Sequence, residues 1–200
     1  MNYKLFGVSL LLIILSGVVF AETALVATDK PAKAYSYFGK YFFINGNFEK
    51  SAEFFQKSID IQSSSPVYHD LAVALFNQGK YSTAIKAFEN AINIDDKYTL
   101  SYYHLGLLYF KVQDYDKAIL NLKTSAELDS SNPDYHFDLA VAYAERFRQK
   151  ENGGSISAED LDGLKTAFFY YANVLSIDKN FPNAGSNAKI VKEVIFGYGI

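Results

Sequence analysis

TLSYYHLGLLYFKVQDYDKAILNLKTSAELD, residues 99–129, is the stretch on which the fold turns. Tyr102, Leu105, Gly106 and Tyr109 return at the three-to-four-residue step that puts them on one side of a helix. The pattern breaks at Gln113-Asp114-Tyr115 and resumes with Ala118, Leu122 and Ser125. Two short amphipathic helices joined by a tight turn follow from that spacing. Upstream, Tyr68, Leu71, Ala72 and Leu75 precede Gly79-Lys80-Tyr81, and Ala84, Phe88 and Ala91 follow. Further upstream, Tyr35, Phe38, Gly39 and Phe42 precede Gly46-Asn47-Phe48, with Phe55 and Ser58 beyond. Downstream, His136, Leu139, Ala140 and Tyr143 open a fourth copy that is interrupted and then resumes with Ala167, Tyr171 and Val174.

Tyr35, Tyr68, Tyr102 and His136 stand 33, 34 and 34 residues apart, so the chain repeats in register from residue 32 to about 181. In spacing and residue type the copies resemble the tetratricopeptide repeat: an aromatic, Leu-Gly or Leu-Ala, a second aromatic, then Ala-x3-large. Here Tyr or His replaces the usual tryptophan, and Ser63, Asp96, Ser130 and Lys179 stand where proline is usual. Proline instead falls at Pro66, Pro133 and Pro182, each expected to open a helix, the first two capped by Ser65 and Asn132 and the third being the terminal helix. The fold class is therefore all-α: an α-solenoid of about four helix pairs over 32–181, plus a closing helix over 182–200.

The spacing predicts helices over 32–45, 48–61, 66–78, 81–94, 99–112, 115–129, 133–150, 158–177 and 183–197. Small residues at Gly39, Ala72, Gly106 and Ala140 let the two helices of a pair approach closely. Each pair buries its open face only against a neighbour, and four pairs exceed the usual minimum of about three. The closing helix would turn Ala184, Ala188, Val191 and Ile195 inward and Asn187, Lys189, Lys192 and Glu193 outward. The fourth copy carries an insertion at about 148–163, read as longer helices meeting at a tip. Ser157 with Asp160 resembles an N-terminal capping arrangement, and Arg146, Arg148 and Lys150 suit the end of the preceding helix.

Residues 1–21 read as a signal peptide. Lys4 precedes an apolar run from Leu5 to Phe20, and Val19-Phe20-Ala21 suits cleavage before Glu22. The run is shorter than the ~20 residues a spanning helix needs. An uncleaved anchor is the competing reading, and only in that case is the membrane a partner. Residues 22–31 would be a linker. Either reading exports the repeats, to the periplasm or cell envelope.

Of the 200 residues, 50% are apolar and 16% aromatic, enough for a sizeable core. Nineteen basic against 22 acidic residues give a net charge of −3, which argues against nucleic acid as a partner. There is no cysteine, so disulfides, thiolate catalysis and cysteine-held metals are excluded. His69, His104 and His136 fall in successive first helices but at different repeat positions, so no metal site, cofactor or catalytic set is expected. The expected activity is non-enzymatic.

The resemblance implies a groove lined by positions 2, 5, 9, 12 and 13 of the first helices. Carried across, its central residues are Lys40 and Phe43; His69, Val73, Phe76 and Asn77; Tyr103, Leu107, Phe110 and Lys111; and Phe137 and Val141. Family members that clamp a peptide's terminal carboxylate use lysine, asparagine and basic residues where this chain has Ser36, Lys40, Val73, Leu100 and His104. The clamp is missing. An exposed stripe of Phe43, Phe76, Tyr103, Leu107, Phe110 and Phe137 is expected to hold a partner's amphipathic helix or apolar peptide. The competing arrangement packs several of these side chains between repeats and hides the rest under the closing helix. The functional expectation is a protein-binding scaffold of the bacterial envelope. The alternative is a self-associating structural subunit of a larger envelope machine, such as a motor or secretion apparatus.

Overall fold

Every regular element among the described residues is a helix. The computed structural model describes residues 30–199; the expected signal peptide at 1–21 and nearly all of the 22–31 linker lie outside them. The helices are α1 (Pro31–Ile44), α2 (Phe48–Ile61), α3 (Ser65–Asn77), α4 (Tyr81–Ile94), α5 (Thr99–Lys111), α6 (Tyr115–Leu128), α7 (Pro133–Asn152), α8 (Ala158–Ile177) and α9 (Ala184–Gly197). No described helix is long and apolar enough to cross a membrane. The chain divides into two units, one ending at Ala87 and the other beginning at Phe88, within α4.

Each hairpin turn is made the same way. The last carbonyls of α3 accept from the turn, Gly79 N–H to Phe76 at 2.9 Å and Lys80 N–H to Leu75 at 3.0 Å, with Gly79 at φ +74°. The α5–α6 turn repeats those bonds, Gln113 N–H to Phe110 and Asp114 N–H to Tyr109, both 3.0 Å, but its left-handed residue at φ +63° is Gln113. In the first three hairpins the residue after the left-handed one immediately precedes the next helix. Asn47 and Asp114 accept from the N–H groups of Lys50 and Lys117 at 3.1 and 3.3 Å, satisfying donors that a helix start leaves unpaired.

In the first unit α2 packs on both α1 and α3. Phe54, buried on α2, receives Tyr35, Phe38 and Phe42 of α1 at ring distances of 6.1, 5.5 and 5.3 Å. Such pairs contribute about 0.5–1.5 kcal/mol each beyond area burial. A Cβ on Gly39 would stand 2.5 Å from the Phe55 ring, so the small residue there is a steric requirement. Gly106 repeats it in the second unit, where a Cβ would meet Leu122 Cγ at 2.7 Å. There α5 packs on α6, α6 on α7, α7 on α8 and α8 on α9. One core joins Ile119, Leu122, Ala126, Tyr135, Leu139 and Ala142; another joins Ala140, Phe147, Leu164, Ala167, Tyr171 and Val191.

Four local expectations are corrected. Asn132 does cap α7, accepting from Asp134 N–H at 3.0 Å, but α3 begins at Ser65 itself, after Ser64, whose side chain makes no capping bond. Pro182 opens no helix: α9 starts two residues later, after Asn183 at φ +63°. Arg146 is not spent on the end of α7. It is drawn inward, its side chain 13% exposed, between Asp116 of α6 at 3.2 Å and Glu159 of α8 at 3.9 Å. It crosses so near α8 that a Cβ on Gly163 would stand 2.9 Å from its guanidinium. Finally, the outer side of α9 is not wholly polar. Ala184 and Val191 are buried, but Ile190 and Phe196 are 58% and 67% exposed.

The insertion is built as helix. α7 and α8 each run 20 residues where α5 and α6 run 13 and 14. Ser157 and Asp160 form a full capping box at the start of α8. Tyr198, just after α9, sets its ring on Phe147 at 5.6 Å and donates to Glu151 at 2.8 Å, so the extension also holds the closing helix.

Candidate functional site

In the first unit the expected lining residues lie on α1 and α3. Lys40 is exposed and reaches Asp70 of α3 at 3.4 Å. The same carboxylate lies 3.4 Å from Nδ1 of the buried His69. Val73 and Phe76 are half-buried; exposed Asn77 donates to the Val73 carbonyl at 2.8 Å. Phe43 and Phe76 are not free: they pack on Phe48 and Tyr81, the first residues of the following helices, at 5.3 and 5.5 Å.

The second unit repeats that staple, with Phe110 on Tyr115 at 5.4 Å. Tyr103, Leu107 and Phe110 all rest on the core formed with α6 and α7. Tyr103 reaches furthest. Its ring packs at a tilt on Tyr135 at 4.7 Å and its hydroxyl donates to Asp138 Oδ2 at 2.7 Å. Burial, with that carboxylate beside it, pushes the phenol well above its ordinary range. Burial likewise pushes the Asp138 carboxyl up, against the pull of the Tyr103 hydroxyl, and Asp134 one turn earlier adds to the rise. Lys111 is exposed in the last turn of α5. Phe137 and Val141 are half-buried against the α7–α9 core, and Phe137 is covered by Tyr171 at 5.7 Å and Phe181 at 5.1 Å.

The six expected stripe residues are therefore half-buried, not exposed. The reason is steric: a side chain at the mouth of a hairpin buries one edge against the next helix before any partner arrives. The competing arrangement accounts for Tyr103 and Phe137, which the following repeat or the segment after α8 partly covers. Three residues escaped the sequence reading. Asp70 and Asp138 each follow a groove position by one residue, and their only sequence mark is a charge on an otherwise apolar helix face. Phe181 sits between helices, where periodicity carries no signal.

The histidines are structural parts of separate hairpins. His104 Nδ1 lies 2.9 Å from the Leu100 carbonyl, and its ring stacks on Phe88. His136 Nε2 lies 3.0 Å from the Ser130 carbonyl, and its ring stacks on Tyr170.

Comparison with known proteins places this geometry among repeats already described. The family model for the TPR repeat matches residues 72–113 and 109–146. The small glutamine-rich tetratricopeptide repeat-containing protein 2 of Mycosarcoma maydis is 33% identical over 81 residues, 40% of this chain and 23% of that protein. The chain thus spans under a quarter of that relative's length. Among solved structures, MamA is similar with a TM-score of 0.67 at 21% identity, covering 80% of this chain and 85% of that one. YrrB, described as a TPR protein with an unusual peptide-binding site, is similar with a TM-score of 0.66 at 16% identity, covering 85% and 80%. At these identities the likeness is one of fold.

Proposed function

Because the chain is a tetratricopeptide-repeat protein, we propose that it is a non-enzymatic scaffold that holds a peptide or amphipathic helix of another protein along its first helices. We place it in the bacterial cell envelope, on the strength of the signal-like segment at 1–21. The observation that carries the reading is the recurrent staple: Phe43 on Phe48, Phe76 on Tyr81 and Phe110 on Tyr115. Each aromatic has one edge fixed and another left to solvent. A side chain already held in its rotamer loses less entropy on association, which favours aromatic anchors of this kind. YrrB, of the same fold, is described by its peptide-binding site, which accords with the reading.

Phe76→Ser combined with Phe110→Ser should abolish partner capture from envelope extract. Helical circular dichroism should persist at 20 °C, with a lower Tm because two staples are lost. Undiminished capture would overturn the proposal.

A second reading, self-association into a larger machine, is favoured by apolar side chains left outside on the first and last described helices. They are Tyr37, Tyr41 and Ile44 of α1 and Ile190 and Phe196 of α9. Sedimentation across a hundredfold concentration range separates the readings: the scaffold stays monomeric, the structural subunit grows.

A further inference from the structure

The two units treat one repeat position differently. Asp70 and Asp138 both stand four residues after the groove residues Pro66 and Asp134, at the same place in their copies. Asp70 has a cation at 3.4 Å, supplied by Lys40 of α1. The residue of α5 equivalent to Lys40 is Leu107, and Asp138 has instead the neutral hydroxyl of Tyr103 at 2.7 Å. Among the described residues no lysine, arginine or histidine forms an ion pair with Asp138; the other charge acting on it is Asp134, of the same sign. Glu145, two turns further along α7, is occupied by Arg148. Lys111 stands about two turns beyond Tyr103 along α5, at its far end.

A half-buried carboxylate without a counter-charge is costly, and the cost is recovered when a cation arrives with good geometry. Val141 follows Asp138 by about one turn on α7, Leu107 follows its partner Tyr103 by about one turn on α5, and Phe110 comes a turn later, all three half-buried and apolar. We propose that this part of the groove takes a cationic amphipathic segment of a partner protein, with one lysine or arginine on Asp138 and apolar side chains on Leu107, Phe110 and Val141. The inference rests on the scaffold reading and names the chemistry of its ligand: basic and apolar, the opposite of the acidic tail that a carboxylate clamp would select.

The test uses the purified full chain and two labelled 14-residue helical peptides with the same leucine stripe, one carrying lysines and the other glutamates on the flanks. Affinity is read by fluorescence anisotropy in 150 mM salt. The lysine peptide should bind, and Asp138→Asn, which keeps an acceptor for Tyr103, should weaken it about tenfold or more. Asp162→Asn removes the same charge from the exposed side of α8, where Asp162 pairs with Lys165 at 3.7 Å, and should change nothing. Leu107→Lys should also weaken binding by giving Asp138 the cation that Lys40 gives Asp70. If Asp138→Asn fails to fold, the Leu107→Lys chain decides. Equal effects of the two asparagine variants, equal affinity for both peptides, or no binding of the lysine peptide would each overturn the inference. An uncharged leucine peptide that bound the wild-type chain and was lost in Phe110→Ser would discard the cation while keeping the scaffold.

Discussion

Gln113 is the residue with the simplest thermodynamic reading. It holds φ +63° at a turn position where Gly46 and Gly79 hold +74° without a side chain to strain. A left-handed non-glycine residue costs about 1 kcal/mol. Gln113→Gly should therefore stabilise the chain by ~0.5–1 kcal/mol, seen as a Tm rise of a few degrees in calorimetry. Asp138 carries the opposite lesson. Its carboxyl is raised by burial, so the folded state favours the protonated form. Its contribution is fully present at low pH and is lost as pH rises through the raised folded value. Asp138→Asn should then be the more stable protein at pH 7, by ~1 kcal/mol, with the difference closing at pH 3–4 in urea titrations. At this scale sequence reading reached some residues and not others. Gln113 was legible as a departure from glycine in a repeated turn. The raised carboxyl of Asp138 was not, because it comes from burial produced by packing between helices, which no spacing within one helix reveals.

Among the elements, the long hairpin of α7 and α8 departs most from its neighbours. Its register survives a 20-residue helix on each side because both ends are chemically marked. Asn132 caps one, and at the other Ser157 and Asp160 exchange bonds, Asp160 N–H to Ser157 Oγ at 3.2 Å and Ser157 N–H to Asp160 Oδ2 at 2.9 Å. The Ser157 hydroxyl, donating to the same carboxylate, holds Asp160 below its ordinary 3.8. That stability exists above the ordinary value and disappears as pH falls through the lowered one. Asp160→Ala should cost ~1 kcal/mol at pH 7 and progressively less below pH 4, measured by denaturant midpoints at each pH. Helix number, order and the capping box were all legible, since each is a local pattern. Arg146 was assigned to the end of its own helix; its partners Asp116 and Glu159 lie on two others, and no spacing rule connects them.

Over the whole molecule, stability is shared between neighbouring helices, so a lesion should stay where it is made. Gly39→Ala drives a Cβ into Phe55, and Gly106→Ala drives one into Leu122; each should cost ~1–3 kcal/mol. Hydrogen exchange should show the first loosening α1 and α2 while α7 and α8 keep their protection, and the second loosening α5 and α6 while α1 and α2 keep theirs. Uniform loosening would contradict the shared-neighbour picture. The repeat itself was the most legible feature, because a period of 33 to 34 residues needs no tertiary knowledge. The far hairpin carries one more consequence. Lys150 lies exposed near the Gly153-Gly154 tip, whereas Phe147 and Leu164 below it are locked with Val191. Trypsin acting there would nick the backbone without parting its halves: a denaturing gel would show two bands, a native gel one. The tip is accordingly the place to splice in a reporter domain.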